Sequence, residues 1–172
     1  MNIPGTNQAY PDFEFDSFHR GKYFYKRALG ELRVPSLVAK SRDYKAQKAV
    51  SFHTGEHAGH LIGTQFGAPG GIENLGLQNP NMNSYSPTRF QEIFGGKGGS
   101  YLLQETRWSN MLEARVRIKV IVEDMYRPGE TRFINRNVQW WIMNQGASWE
   151  AMPNLDFGNF SSPQGRAADR QS

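Results

Sequence analysis

The stretch from Arg115 to Met143 constrains the fold more than any other part of the chain. Arg115, Arg117 and Lys119 alternate with Val116, Ile118 and Val120, and a period of two places charges on one face of a strand and branched apolar groups on the other. Pro128-Gly129 then marks a turn, and Arg132 to Met143 returns with β-branched and aromatic residues. The pattern predicts an antiparallel hairpin. Its cationic stripe has two readings: contacts to a nucleic-acid backbone, or ordinary cations on a solvated strand face. Trp140 and Trp141 read as core and edge packing.

Phe13-Glu14-Phe15 and Tyr23-Phe24-Tyr25 are further strand material, punctuated by Gly30 and Pro35. Asp43 to Val50 reads as a short helix. Ser86-Pro87 has the form of an N-cap followed by proline at the first helical position, and Gly95-Gly96 ends that helix. From Ser100 a second segment carries Tyr101, Leu102, Trp108, Met111 and Leu112 at helical spacing, with Trp108 expected in the core. The fold class is therefore α+β, an antiparallel sheet with packed helices. A length of 172 residues suits one domain. We place it at 20–160, after an N-terminal extension (1–19) and before a mobile Ser-, Pro- and Gln-containing tail (161–172).

Charge divides the chain. Nine basic residues fall between Arg20 and Lys48, against only Glu31 and Asp43, whereas Ala49 to Thr88 contains no Lys or Arg. That middle stretch is rich in Gly and Asn and holds three of the four histidines, a composition that builds loops and polar sites. The absence of cysteine excludes a disulfide scaffold, a thiolate zinc site and a cysteine nucleophile. The opening Met1-Asn2-Ile3-Pro4-Gly5 lacks the form of a cleavable signal. The apolar run from Val116 to Val122 is broken by Arg117 and Lys119, so no membrane span is expected. The formal net charge of +4 permits an anionic partner.

The densest constellation is His53-Thr54-Gly55-Glu56-His57-Ala58-Gly59-His60. Histidine is suited to proton transfer near neutrality, and Gly59 lets a backbone or a phosphate come close. A zinc-dependent hydrolase using His53, His57 and His60, with Glu56 or water as fourth ligand, is one reading; Gly55 and Gly59 oppose a continuous helix presenting the three together. A non-catalytic nucleic-acid-binding module built on the basic segments is another. The asparagines downstream add neutral oxygen ligands of the kind that suit magnesium.

The series Gly59-His60-Leu61-Ile62-Gly63, Phe66-Gly67-Ala68-Pro69-Gly70-Gly71, Glu73-Asn74-Leu75, Gln78-Asn79 and Asn83 resembles the DNA/RNA non-specific endonucleases of the ββα-metal (His-Me finger) superfamily, in particular the nuclease domains of bacterial polymorphic toxins. Tyr126-Arg127-Pro128-Gly129-Glu130 and Leu155-Asp156-Phe157-Gly158-Asn159-Phe160 extend the resemblance over roughly residues 20 to 165. It implies a ββα-metal nuclease core in which His60 is the general base that activates water and Asn83 holds one divalent cation, Mg²⁺. Asn74 is implied as a supporting polar residue and Glu92 as the glutamate that positions water at the metal, with His60 and Asn83 facing one cleft. It further implies DNA or RNA as substrate, a cognate immunity protein, and a secreted effector acting in the cytoplasm of a target bacterium. Two departures stand out. His57-Ala58-Gly59-His60 replaces the related Asp-Arg-Gly-His, and Pro87 follows Asn83 closely. The missing positive charge is assigned to Arg33 or Arg42 upstream, with Arg115, Arg117 and Lys119 as further nucleic-acid contacts.

Overall fold

The computed structural model describes residues 13–38, 44–51, 57–78, 101–146 and 148–159. Strands β1 (Glu14–Arg20) and β2 (Tyr23–Glu31) form a hairpin whose turn uses Gly21 at φ +62°. Residues 14–19, within the expected extension 1–19, therefore belong to the sheet, with Phe15 opposite Ala28. The expected long hairpin is formed by β5 (Arg117–Tyr126) and β6 (Asn135–Met143), paired from Arg117–Met143 to Met125–Asn135. Gly129, at φ +73°, sits in the connection between them. Strand order is β1-β2-β5-β6, and β7 (Glu150–Ala151) and β8 (Leu155–Gly158) both pair with the outer edge of β6. A separate two-stranded hairpin joins β3 (His57–His60) to β4 (Leu75–Gln78).

Alternation decides what the sheet covers. Ile118, Val120, Val122 and Tyr126 of β5, with Val138 and Trp140 of β6 and Ala28 of β2, point to one face and enter the main core. Helix α1 (Tyr44–Ser51) matches the expected segment within one residue at each end. Helix α2 (Tyr101–Glu113) packs on the core face through Tyr101, Gln104, Glu105, Trp108 and Leu112, a one-sided spacing. Its buried stripe thus includes Gln104 and Glu105, whereas Leu102 is only half-buried. Trp108 meets Phe66, Tyr101 and Trp140 edge-on at 6.4, 6.1 and 5.9 Å, joining the helix, the 61–74 loop and the sheet. The helix expected from Ser86 to Gly96 lies outside the described residues.

The cationic stripe takes a different form from the one its alternation suggests. Arg115 precedes the strand and caps α2 in the left-handed region at φ +67°. Arg117 pairs with Glu31 and lies 5.2 Å from the Trp149 ring centre. Lys119 is only 3% exposed, its ammonium 4.4 Å from the ring centre of Trp149 and 5.6 Å from that of Trp141. Aromatic neighbours absorb the cation because the ring faces carry negative charge density, so Lys119 seals the second sheet face over Leu29 and Ile121 and is withdrawn from solvent. Among the described residues no helix is long and apolar enough to cross a membrane.

Candidate active site around His60

The β3–β4 hairpin presents His60 opposite Leu75 at the end where the chain leaves β3 for the 61–74 loop. Gly59 pairs with Gly76, and side chains approach both glycines closely. A Cβ on Gly59 would lie 1.6 Å from Gln78 Oε1, and one on Gly76 would lie 3.0 Å from the Phe133 ring. The space beside Gly59 is thus taken by the Gln78 side chain, where the sequence suggested a phosphate. His60 itself is half-buried.

Asn74 is fully buried, and its amide is spent on the loop. Its Oδ1 accepts from Ile62 N–H at 3.0 Å, while Nδ2 donates to the Ile62 and Pro69 carbonyls at 2.7 and 2.8 Å. With Leu61 N–H donating to the Asn74 carbonyl at 2.9 Å, both ends of the loop are tied together. Asn74 therefore holds the loop that follows His60, and its amide is committed to backbone groups of that loop.

A charged row on the core face of the sheet underlies the hairpin. Lys26, Asp124 and Arg136 are register partners on three adjacent strands. Arg136 and Asp124 are fully buried and share two hydrogen bonds of 2.7 and 2.8 Å. The third arm of the guanidinium donates to the His60 carbonyl at 3.0 Å. Lys26 Nζ donates to the Leu75 carbonyl at 2.7 Å. Burial lowers the Lys26 pKa, with Asp124 opposing; burial would likewise lower that of Arg136, but the Asp124 carboxylate holds it above its ordinary value. From α2 the Tyr101 hydroxyl donates to the Leu61 carbonyl, and the Glu105 carboxyl receives the Gly63 N–H. Burial pushes Glu105 up to about 8.

No family model and no curated protein matches the chain. Solved structures do. An extracellular endonuclease superposes with a TM-score of 0.57 at 13% identity, covering 94% of this chain and 85% of the other. An extracellular nuclease gives 0.50 at 13% identity, covering 94% and 92%. The fold is shared with extracellular nucleases.

The remaining expected site residues divide clearly. Arg33 lies by the loop that follows His60: its N–H donates to the Phe66 carbonyl at 2.9 Å and its side chain crosses Gly67, whose added Cβ would meet Arg33 Cδ at 2.7 Å. The Arg33 Nε is buried with no hydrogen-bond partner among the described residues. Asn83, Glu92, Arg42 and His53 lie outside the described residues. His57 and His60 both lie on β3, three residues apart, so they point to opposite faces of the strand. That geometry removes the reading in which both ligate one zinc ion. Among the described residues no three His, Asp or Glu side chains gather as a metal cluster. A cavity of about 790 Å³, lined in part by Glu31, Leu32, Leu112, Arg115 and Arg117, sits at the Glu113 end of α2, whereas Tyr101 at the other end touches the His60 loop. Thirteen residues of helix, about 20 Å, separate the two.

Five residues that build this site, Lys26, Tyr101, Glu105, Asp124 and Arg136, were not singled out as site residues from the sequence. A signal existed for two of them. Asp124 occupies the apolar parity of β5 after Ile118, Val120 and Val122, and Arg136 that of β6 before Val138 and Trp140. A charge on a core-facing position requires a buried partner.

Proposed function

We propose that this chain is a metal-dependent endonuclease that hydrolyses the phosphodiester bonds of DNA, with RNA as the second candidate substrate, and with little sequence preference. The observation that carries the reading is His60, half-buried at the end of a hairpin that a fully buried ion pair holds against a sheet shared with extracellular nucleases. In the reaction the neutral imidazole of His60 takes a proton from water, the water oxygen attacks phosphorus, and the bond to the leaving sugar oxygen breaks, its electron pair staying on that oxygen, which takes a proton from solvent water. Arg33, whose side chain crosses Gly67 in the loop that follows His60, is the candidate cation for the pentacoordinate phosphate, with Arg42 the other upstream candidate.

The donor set fits magnesium better than zinc: Asn83 would offer a neutral oxygen ligand, Glu92 would orient water, and the substrate phosphate would fill further positions. The ion, when bound, neutralises charge developing on the phosphate and leaving oxygen. The resemblance to polymorphic-toxin nucleases supports an antibacterial effector role in the cytoplasm of a target cell, with a cognate immunity protein whose acidic face covers the cleft.

The test is incubation of plasmid DNA and RNA with the protein, with and without a chelator. We expect cleavage that the chelator abolishes. His60→Ala should lower the rate by about 10²- to 10⁴-fold while DNA still binds. Asn83→Ala should regain part of its activity in excess magnesium, which cannot replace a missing base. Undiminished cleavage by His60→Ala, or cleavage indifferent to the chelator, would overturn the assignment.

A further inference from the structure

Four consecutive residues, His60 to Gly63, are each gripped by a different buried side chain. Arg136 holds the His60 carbonyl, Tyr101 the Leu61 carbonyl, Asn74 both polar groups of Ile62, and Glu105 the Gly63 amide. These side chains come from β6, the start of α2 and the turn before β4, so three separately folded parts of the chain meet on one short segment. Two of them are coupled to each other. The Arg136 guanidinium carbon stands 4.5 Å from the ring centre of Tyr101 and 4.8 Å from that of Phe133, so the ring whose hydroxyl holds Leu61 also helps fix the cation that holds His60.

The cost of this arrangement argues that it has a purpose beyond cohesion. A fully buried Arg–Asp pair is weak as a source of stability, because desolvation offsets most of its attraction, and apolar residues of similar size do as well. What such a pair supplies is geometry. Asp124 takes two of the guanidinium donors in a planar fork, which leaves Nη1 aimed in one direction, at His60. Lys26, the next member of the row, fixes the carbonyl of Leu75, the residue paired with His60. Both carbonyls of that pair are therefore set by the same three-residue row.

We propose that Arg136 and Tyr101 are positioning residues that set the orientation of the His60 imidazole through the carbonyls of His60 and Leu61. The proposal rests on His60 being the general base. Neither residue touches the reacting atoms; each acts on the backbone from which the imidazole projects. A base must lie within hydrogen-bond reach of the water it deprotonates, and a displacement near 1 Å costs about a hundredfold.

The test uses the full chain with Tyr101→Phe, which removes one oxygen and keeps the ring under Arg136, and Arg136→Lys, which keeps a cation for Asp124 and loses the fork. Leu112→Ala, at the far end of α2, is the control for lost stability. Cleavage rate, KM, melting temperature and the NMR titration of the His60 imidazole are measured for each. We expect Tyr101→Phe and Arg136→Lys to lower kcat about ten- to a hundredfold with KM within about twofold, and to shift the imidazole titration together with the pH profile. Leu112→Ala should lower the melting temperature and leave the titration in place.

Wild-type kcat in folded Tyr101→Phe overturns the proposal, as does a titration that moves no further than in Leu112→Ala. If Arg136→Lys does not fold, Tyr101→Phe decides alone. An inactive wild type or a fully active His60→Ala would instead sink the nuclease reading, and the imidazole titration would still decide whether Arg136 and Tyr101 control His60.

Discussion

Glu105 is a buried carboxyl one helical turn beyond Tyr101 on α2. Burial raises its pKa from 4.5 to about 8, against the opposing effects of Arg136 on β6 and the Gly63 amide. The unfolded chain gives up this proton near 4.5 and the folded chain only near 8, so between those values the folded state holds more protons and stability falls as pH rises. The contribution is fully present below the lower value and lost above the upper one, with a slope of at most about 1.4 kcal/mol per pH unit. Glu105→Gln has no proton to lose. We expect the wild type to lose stability across this window and the variant to flatten that part of the profile, read by urea unfolding at a series of pH values. Equal slopes in the two proteins would mean that Glu105 titrates normally.

At the scale of elements, what the sequence revealed and what it hid have one physical cause. The β5–β6 hairpin was legible because its apolar positions recur every second residue, and α2 because Tyr101, Trp108 and Leu112 share one face. Periodicity reports which way a side chain points, but it does not say what another segment brings to that face. Lys119 shows the difference: its parity is right for the outer face, yet Trp149, thirty residues on, covers it. The resemblance singled out His60 and Asn74, whereas the Lys26–Asp124–Arg136 row depends on register between strands far apart in sequence. Arg115 is a local feature that periodicity also missed. It ends α2 in a Schellman arrangement, with Val116 N–H donating to the Met111 carbonyl and Arg115 N–H to that of Leu112, both at 3.0 Å. The left-handed position, at φ +67°, suits glycine and strains an arginine by roughly 1 kcal/mol. Arg115→Gly is therefore expected to raise the melting temperature by about 2–4 °C, measured by calorimetry. A fall would show that the guanidinium makes a contact worth more than the strain.

For the whole molecule, the two faces of the sheet have different electrostatic fates. On the face away from α2, Arg27 pairs with Asp16 at 2.6 Å, Arg117 with Glu31, and Arg20 lies 3.9 Å from Glu123, so cations there are largely answered by carboxylates within the fold. Lys119 is held between two tryptophans. Such a surface has little free charge to exchange for phosphate. Beside the His60 loop, by contrast, Arg33 has a buried Nε with no hydrogen-bond partner among the described residues. Each phosphate that a protein neutralises releases counterions and steepens the fall of affinity with salt by nearly one logarithmic unit per decade. Binding of the His60→Ala variant to duplex DNA should therefore weaken with salt and change little with base sequence, since contacts to phosphate carry no sequence information. In that background Arg33→Ala should reduce the salt slope by about one, while Lys119→Ala should leave it unchanged and lower the melting temperature. Fluorescence anisotropy across a salt series reads both. If Lys119→Ala lowers the slope as much as Arg33→Ala does, the substrate lies along the outer sheet face and the site around His60 is not where DNA binds.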